Sequence, residues 1–169
     1  LLETAAWLTQ WGHQVALYFI GSAQPEVAAE LTARAKEVNL VDFAITGYTS
    51  EDAYRDYLRA IDLGVQLRIS PYLGVAGPLS DMAAFGTPAI GSRGVCIDVD
   101  TPEFVDQLPD DVSSVMVAQR IEYRINNPHN PDLIEAQRLD YLARKSPKRY
   151  AEELLIMLEN PDQQGKAVR

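Results

Sequence analysis

Val15 to Ile20 is an unbroken apolar run closed by Gly21, a pattern that predicts a strand covered on both faces. From Pro25 to Val38 the positions Val27, Leu31, Ala35 and Val38 recur three or four apart, the spacing of one buried helix face. A second short strand is predicted over 41–46, ended by Gly47. Ser50 followed by Glu51 and Asp52 marks a helix start, since the hydroxyl can cap free amides and acids suit the positive end of the helix dipole. Tyr54, Tyr57, Leu58 and Ile61 supply that helix's inner face. A strand over 63–67, a helix over 79–85 stopped at Gly86 and a short strand over 88–91 continue the alternation.

Only helices are predicted after that, over 101–107, 113–125, 131–143 and 147–158, separated by Pro and Asn. The residues from Asn160 are polar, so a domain over 1–160 followed by a tail over 161–169 is expected. Strands alternating with helices imply parallel pairing through right-handed crossovers. The expected fold is therefore α/β, a doubly wound, mostly parallel sheet with helices on both faces and a helical C-terminal segment, and runs 15–20, 41–46 and 63–67 are its inner strands. Leu1 to Leu8 is helix-patterned from its first residue, with neither Met nor a capping residue ahead of it, which reads as a piece of a longer chain.

Composition narrows the classes. The 169 residues are 47% apolar and 23% charged, which fits an ordinary globular domain and argues against disorder. Fifteen Lys and Arg face 24 Asp and Glu, a net charge of −9, so the basic stripe that a nucleic-acid binder needs is absent. Arg144, Lys145, Lys148 and Arg149 form the one local basic group, read as a solvated helix junction. Cys96 is the single cysteine, which removes any internal disulfide and suits a buried position in Val95-Cys96-Ile97. No run approaches the ~20 apolar residues of a membrane helix, and no signal-peptide pattern occurs, so a cytoplasmic setting without a transmembrane segment is expected.

The sequence holds no GxGxxG after its first strand, no GxxxxGK[ST] and no GxSxG. His13 and His129 are its only histidines and do not fall at helical spacing, so no metal site is expected. The carboxyl ends of the predicted strands, where such folds hold ligands, carry Gly21-Ser22, Gly47-Tyr48-Thr49, Arg68-Ile69-Ser70 and Gly91-Ser92-Arg93-Gly94. After Arg68 a Gly- and Pro-rich loop leads into a helix with Asp81 near its start. A helix N-terminus presents unpaired amides and partial positive charge to a phosphate, and an acid one turn inside it suits ribose hydroxyls. By spacing alone, Gly74 and Gly77 equally well make only the turn while Asp81 complements the dipole.

Thr46-Gly47-Tyr48, then the run from Tyr57 to Leu63, then Leu67-Arg68, then Asp81-Met82-Ala83-Ala84-Phe85-Gly86-Thr87-Pro88-Ala89-Ile90 stand in the order found in group 1 glycosyltransferases. Over nearly its whole length the chain resembles the C-terminal, nucleotide-sugar-binding Rossmann-like domain of these two-domain (GT-B) retaining enzymes. The resemblance implies transfer of a hexose from a nucleotide diphosphate sugar to an acceptor, with the donor as substrate and no cofactor. It carries ribose binding over to Asp81, and diphosphate or sugar contacts to Gly74, Ala76, Gly77, Pro78 and Leu79. By position it gives the base pocket to Gly47, Tyr48 and Thr49, with Gly21 and Ser22 facing the cleft. It also implies that the last helix crosses back toward an N-terminal acceptor domain of the same chain.

The departures bear on activity. The family's additional acid falls at 73 or 74, here Leu and Gly, and Asp81 is one methylene shorter than the usual Glu. The family's diphosphate-neutralising Arg and Lys would fall before Leu1, together with the acceptor domain, so this chain alone is expected to be inactive. The alternative is a non-catalytic nucleotide-binding or interaction module derived from the family. A receiver or flavodoxin-like domain would need acids or a hydroxyl-rich phosphate loop after the first strand, and Gly21-Ser22-Ala23-Gln24 supplies neither. Trp7 and Trp11, four apart on the first helix, read as packing or domain-contact residues. Arg93 is read either as an anion ligand or as half of a surface salt bridge.

Overall fold

A computed structural model describes residues 1–68 and 76–159. Its elements run α1 (Leu2–Gln10), β1 (Ala16–Phe19), α2 (Pro25–Glu37), β2 (Asp42–Ile45), α3 (Glu51–Ala60), β3 (Gly64–Gln66), α4 (Gly77–Phe85), β4 (Ala89–Ser92), α5 (Arg93–Val99), β5 (Val105–Leu108), α6 (Ser114–Asn126), α7 (Pro131–Arg144) and α8 (Pro147–Glu159). The protein is α/β with parallel strands. The expected tail over 161–169 lies outside the described residues.

The strands form two ladders instead of one sheet: β1 pairs with β2, and β3, β4 and β5 pair in that order. The first ladder is also less covered than its apolar run implies. Along β1, residues alternate between exposed and half-buried, because Tyr18 turns outward, donates its hydroxyl to Asp42 Oδ1 at 2.9 Å and lays its ring 6.3 Å from that of Tyr57. The second ladder is covered on both faces. Ala89 and Val105 join Leu79, Met82, Ala83 and Tyr141 in one apolar cluster beneath α4 and α7, whereas Ile90 and Leu108 meet Val117 of α6 on the opposite face. A third cluster, Leu2, Ala5, Ala35 and Leu40, joins α1 and α2 to the first ladder.

Two elements differ from the sequence reading. Residues 101–107, expected to be helical, contain β5 instead; Val105, Asp106 and Leu108 are all buried in it. Asp106, opposite Ile90 in the register, tolerates that position because Arg124 of α6 donates to both its carboxylate oxygens, each at 2.6 Å. The segment after β4, expected as an open strand end, turns at once into α5, which buries Val95, Cys96 and Val99. Burial accordingly pushes the Cys96 thiol up.

Helix boundaries follow local chemistry. Ser50 Oγ accepts from the Ala53 amide and Ser113 Oγ from that of Met116, while Asn130 accepts from Asp132, each satisfying an amide that has no partner within its helix. Gly86 ends α4 at φ +74°, the left-handed conformation that glycine adopts without steric cost. Arg144 and Lys145 share Asp100 at the α7–α8 junction, as expected of a solvated basic group.

Candidate functional site

The carboxyl ends of β1 and β2 meet through their glycines. Gly21 and Gly47 form an antiparallel bridge at φ +127° and +70° respectively, both in the region closed to most side chains. Thr46 fastens the junction. Its hydroxyl oxygen accepts the Gly21 amide at 3.0 Å and its own amide donates to the Phe19 carbonyl at 3.0 Å. Beside this bridge lies an open cleft of about 410 Å³, lined by Ser22, Thr32, Phe43, Ile45 and Gly47 among others. Tyr48, the next residue, stands 92% exposed, while Thr49 is half-buried. Four predicted residues, Gly21, Ser22, Gly47 and Tyr48, thus cluster where the end of β1 bridges to the turn after β2.

That turn leads directly into α3. Ser50 caps the helix, its carbonyl accepts the Tyr54 amide at 2.9 Å, and Tyr54 reaches α4, donating its hydroxyl to Asp81 Oδ2 at 3.0 Å. The Tyr54 ring packs against the apolar cluster around Leu58 and Leu79. Burial, and next the negative charge of Asp81, push its phenol up to about 12. It therefore remains a donor at neutral pH. Asp81, half-buried, is the fifth residue of α4, and its Oδ1 takes no donor among the described residues. From the sequence, Tyr54 is expected only as inner-face packing. Its phenolic oxygen was the one signal that it also needed a polar partner.

At the start of α4, Gly77 and Pro78 are exposed, and the N-cap residue, Ala76, makes no side-chain cap hydrogen bond. Ala76 and Leu79 have no exposed surface. The amides of Leu79 and Ser80 both donate to the Ala76 carbonyl, at 3.0 and 3.1 Å; of the predicted loop residues that are described, Gly77 and Pro78 face solvent. Leu73 and Gly74, the two positions lacking the family acid, lie outside the described residues.

The fourth strand end separates from this group. Ser92 Oγ accepts the Arg68 amide at 2.9 Å, joining the ends of β3 and β4. Arg93 is the first residue of α5 and exposed; among the described residues it makes no ion pair. Asp110 Oδ1 takes the Gly94 amide at 3.0 Å, which puts a carboxylate at this helix start. Gly91 serves packing, since a Cβ there would meet Cys96 Sγ at 2.5 Å.

Among the described residues no group of His, Cys, Asp and Glu gathers in a way that would hold a metal ion, and no helix is long and apolar enough to cross a membrane. No family model and no curated protein matches the chain.

Proposed function

We propose that the chain is the donor-binding part of a retaining glycosyltransferase and holds a nucleotide diphosphate sugar across the ends of its parallel strands. The observation that carries this reading is the Asp81 carboxylate, one turn inside α4, tied by Tyr54 to the glycine turn that follows β2. In this reading Oδ1 of Asp81 accepts a ribose hydroxyl, the turn Gly47-Tyr48-Thr49 takes the base, and the exposed Gly77 and Pro78 that open α4 approach the diphosphate at the positive end of the helix. Stabilising charge on the departing diphosphate is the main demand of such a reaction, and oriented amides meet it without proton transfer.

The resemblance in residue order supports the assignment. So does α8, which has no buried residue among those described and leaves Leu155, Met157 and Leu158 exposed; a preceding acceptor domain would cover them. We read the two ladders as parts of one doubly wound Rossmann-like sheet in the complete, cytoplasmic enzyme. The second reading, a non-catalytic nucleotide-binding module, draws on Leu73 and Gly74, which replace the family acid.

Calorimetric titration with UDP, GDP and ADP, and with their glucose conjugates, tests binding. Saturable binding of at least one diphosphate is expected, and no binding of any of the three would overturn both readings. Transfer or hydrolysis of the bound sugar in the presence of the acceptor domain separates enzyme from module.

A further inference from the structure

The Tyr54 hydroxyl is the one described side-chain group that joins α3 to the carboxylate on α4. Both ends of this link are fixed. Tyr54 stands one turn after the Ser50 cap, with its ring held by the apolar cluster and Leu58 buried one turn further along. Asp81 has Leu79, Met82 and Ala83 buried around it in the same helix. A phenol that donates to one oxygen of a carboxylate restricts its rotation. The other oxygen then points one way.

We propose that Tyr54 is a positioning residue for nucleotide binding, acting through Asp81 to aim Oδ1 at the ribose hydroxyls. The inference rests on the nucleotide reading above and deepens it. It also assigns α3 a task, since the helix begins at the turn proposed for the base and ends its first turn at the group that orients the ribose ligand. Base and ribose contacts are thereby set by one rigid element. A side chain that merely clips two helices together would affect all ligands alike. A side chain that aims a carboxylate at hydroxyls affects only ligands that carry them.

The test compares wild type with Tyr54→Phe, which keeps the ring and removes the donor. UDP, GDP and ADP are titrated alongside their 2′,3′-dideoxy counterparts, and thermal melting is recorded for the same samples. For whichever diphosphate the wild type binds, Tyr54→Phe is expected to weaken the ribonucleotide about three- to tenfold, the range of one lost hydrogen bond, and to leave the dideoxy form unchanged. In the Asp81→Asn background the effect of Tyr54→Phe should shrink, because the two residues act as a unit. Equal weakening of both nucleotide forms would overturn the positioning role, as would unchanged ribonucleotide affinity. Either result leaves the nucleotide reading standing. Absence of nucleotide binding by the wild type removes that reading and this inference together. Should Tyr54→Phe melt too early to titrate, Asp81→Glu supplies the check: moving the carboxylate by one methylene should change the ratio of ribonucleotide to dideoxynucleotide affinity, and an unchanged ratio overturns the proposal.

Discussion

The hydroxyl of Thr87 donates a 2.7 Å hydrogen bond to the carbonyl oxygen of Leu58, and both residues are nearly inaccessible to solvent. Leu58 lies in the last turn of α3, where carbonyls have no partner within their own helix. Thr87 therefore completes the C-terminus of α3 from the link between α4 and β4, fixing the helix that carries Tyr54 relative to the one that carries Asp81.

Replacing Thr87 by Val keeps the shape and removes the donor. A buried carbonyl left unsatisfied costs about 1–3 kcal/mol, so Thr87→Val should lower stability by that amount in urea denaturation with little change in slope, while Thr87→Ser should lose less. Equal stability of Thr87→Val and wild type would mean that water reaches the Leu58 carbonyl.

Gly91 lies where β4 meets two helices. A Cβ there would approach Cys96 Sγ to 2.5 Å and Leu79 Cδ2 to 3.0 Å, in a strand whose four residues are all buried. Gly91→Ala should destabilise the fold by about 1–3 kcal/mol through overpacking. Because Cys96 is the nearer obstacle, adding Cys96→Ala should recover part of that loss, a coupling of about 0.5 kcal/mol or more in a double-mutant cycle. Strict additivity would count against the steric account.

The Asp106–Arg124 pair predicts an asymmetry. Asp106 is only 8% exposed, and Arg124 lies half-buried against it and over the Tyr123 ring. Arg124→Met strands a buried carboxylate, leaving Arg120 Nη1 3.9 Å away, and should cost about 3 kcal/mol or more. Asp106→Asn leaves an arginine that can turn toward solvent and should cost less. The order of the two losses in chemical denaturation decides the point; a larger loss for Asp106→Asn would refute it.

These contacts explain which parts of the fold were legible in the sequence. Caps such as Ser50, and the Gly86 stop, are local signals and appear where the sequence put them. Strand β5 was not legible. Phe104, Val105 and Leu108 repeat at helical spacing, and the acid in their midst is compatible with a buried strand only through Arg124, eighteen residues further on. Helix α5 was hidden by the glycines on either side of Arg93, of which Gly91 is required by packing. In the candidate site, Asp81 and the Gly47 turn were visible as types in order, whereas the bond from Tyr54 spans 27 residues. No local pattern encodes such a pairing.

Stability should also depend on His129. Burial chiefly, and then the nearby Arg124 guanidinium, hold its imidazole below the ordinary 6.5, with Asp106 opposing weakly. The unfolded chain therefore takes up the proton first as pH falls. The contribution of neutral His129 is intact above the unfolded value and is lost as pH drops through the lower native one. Urea midpoints measured between about pH 7.5 and 5.5 should fall for the wild type, and less steeply for His129→Gln. Parallel slopes for the two proteins would exclude His129 as a source of the effect.

The Asp81 carboxylate distinguishes a binding role from a structural one. Asn keeps the shape and leaves an oxygen that can still accept the Tyr54 hydroxyl, so the clip between α3 and α4 survives while the negative charge is lost. A hydrogen bond to a charged group contributes about 1.5–3 kcal/mol, which corresponds to a loss of about one to two orders of magnitude in nucleotide affinity. If Asp81 served only the helix, the charge change would cost about 0.3–1 kcal/mol of stability and leave affinity untouched. Position favours the first outcome, since Asp81 is the fifth residue of α4 and the dipole effect fades beyond the first turn. Calorimetry with UDP, GDP and ADP, paired with melting of the same Asp81→Asn protein, separates the two. Weakened binding at an unchanged melting temperature is expected; a lowered melting temperature with unchanged affinity would assign Asp81 to the fold alone.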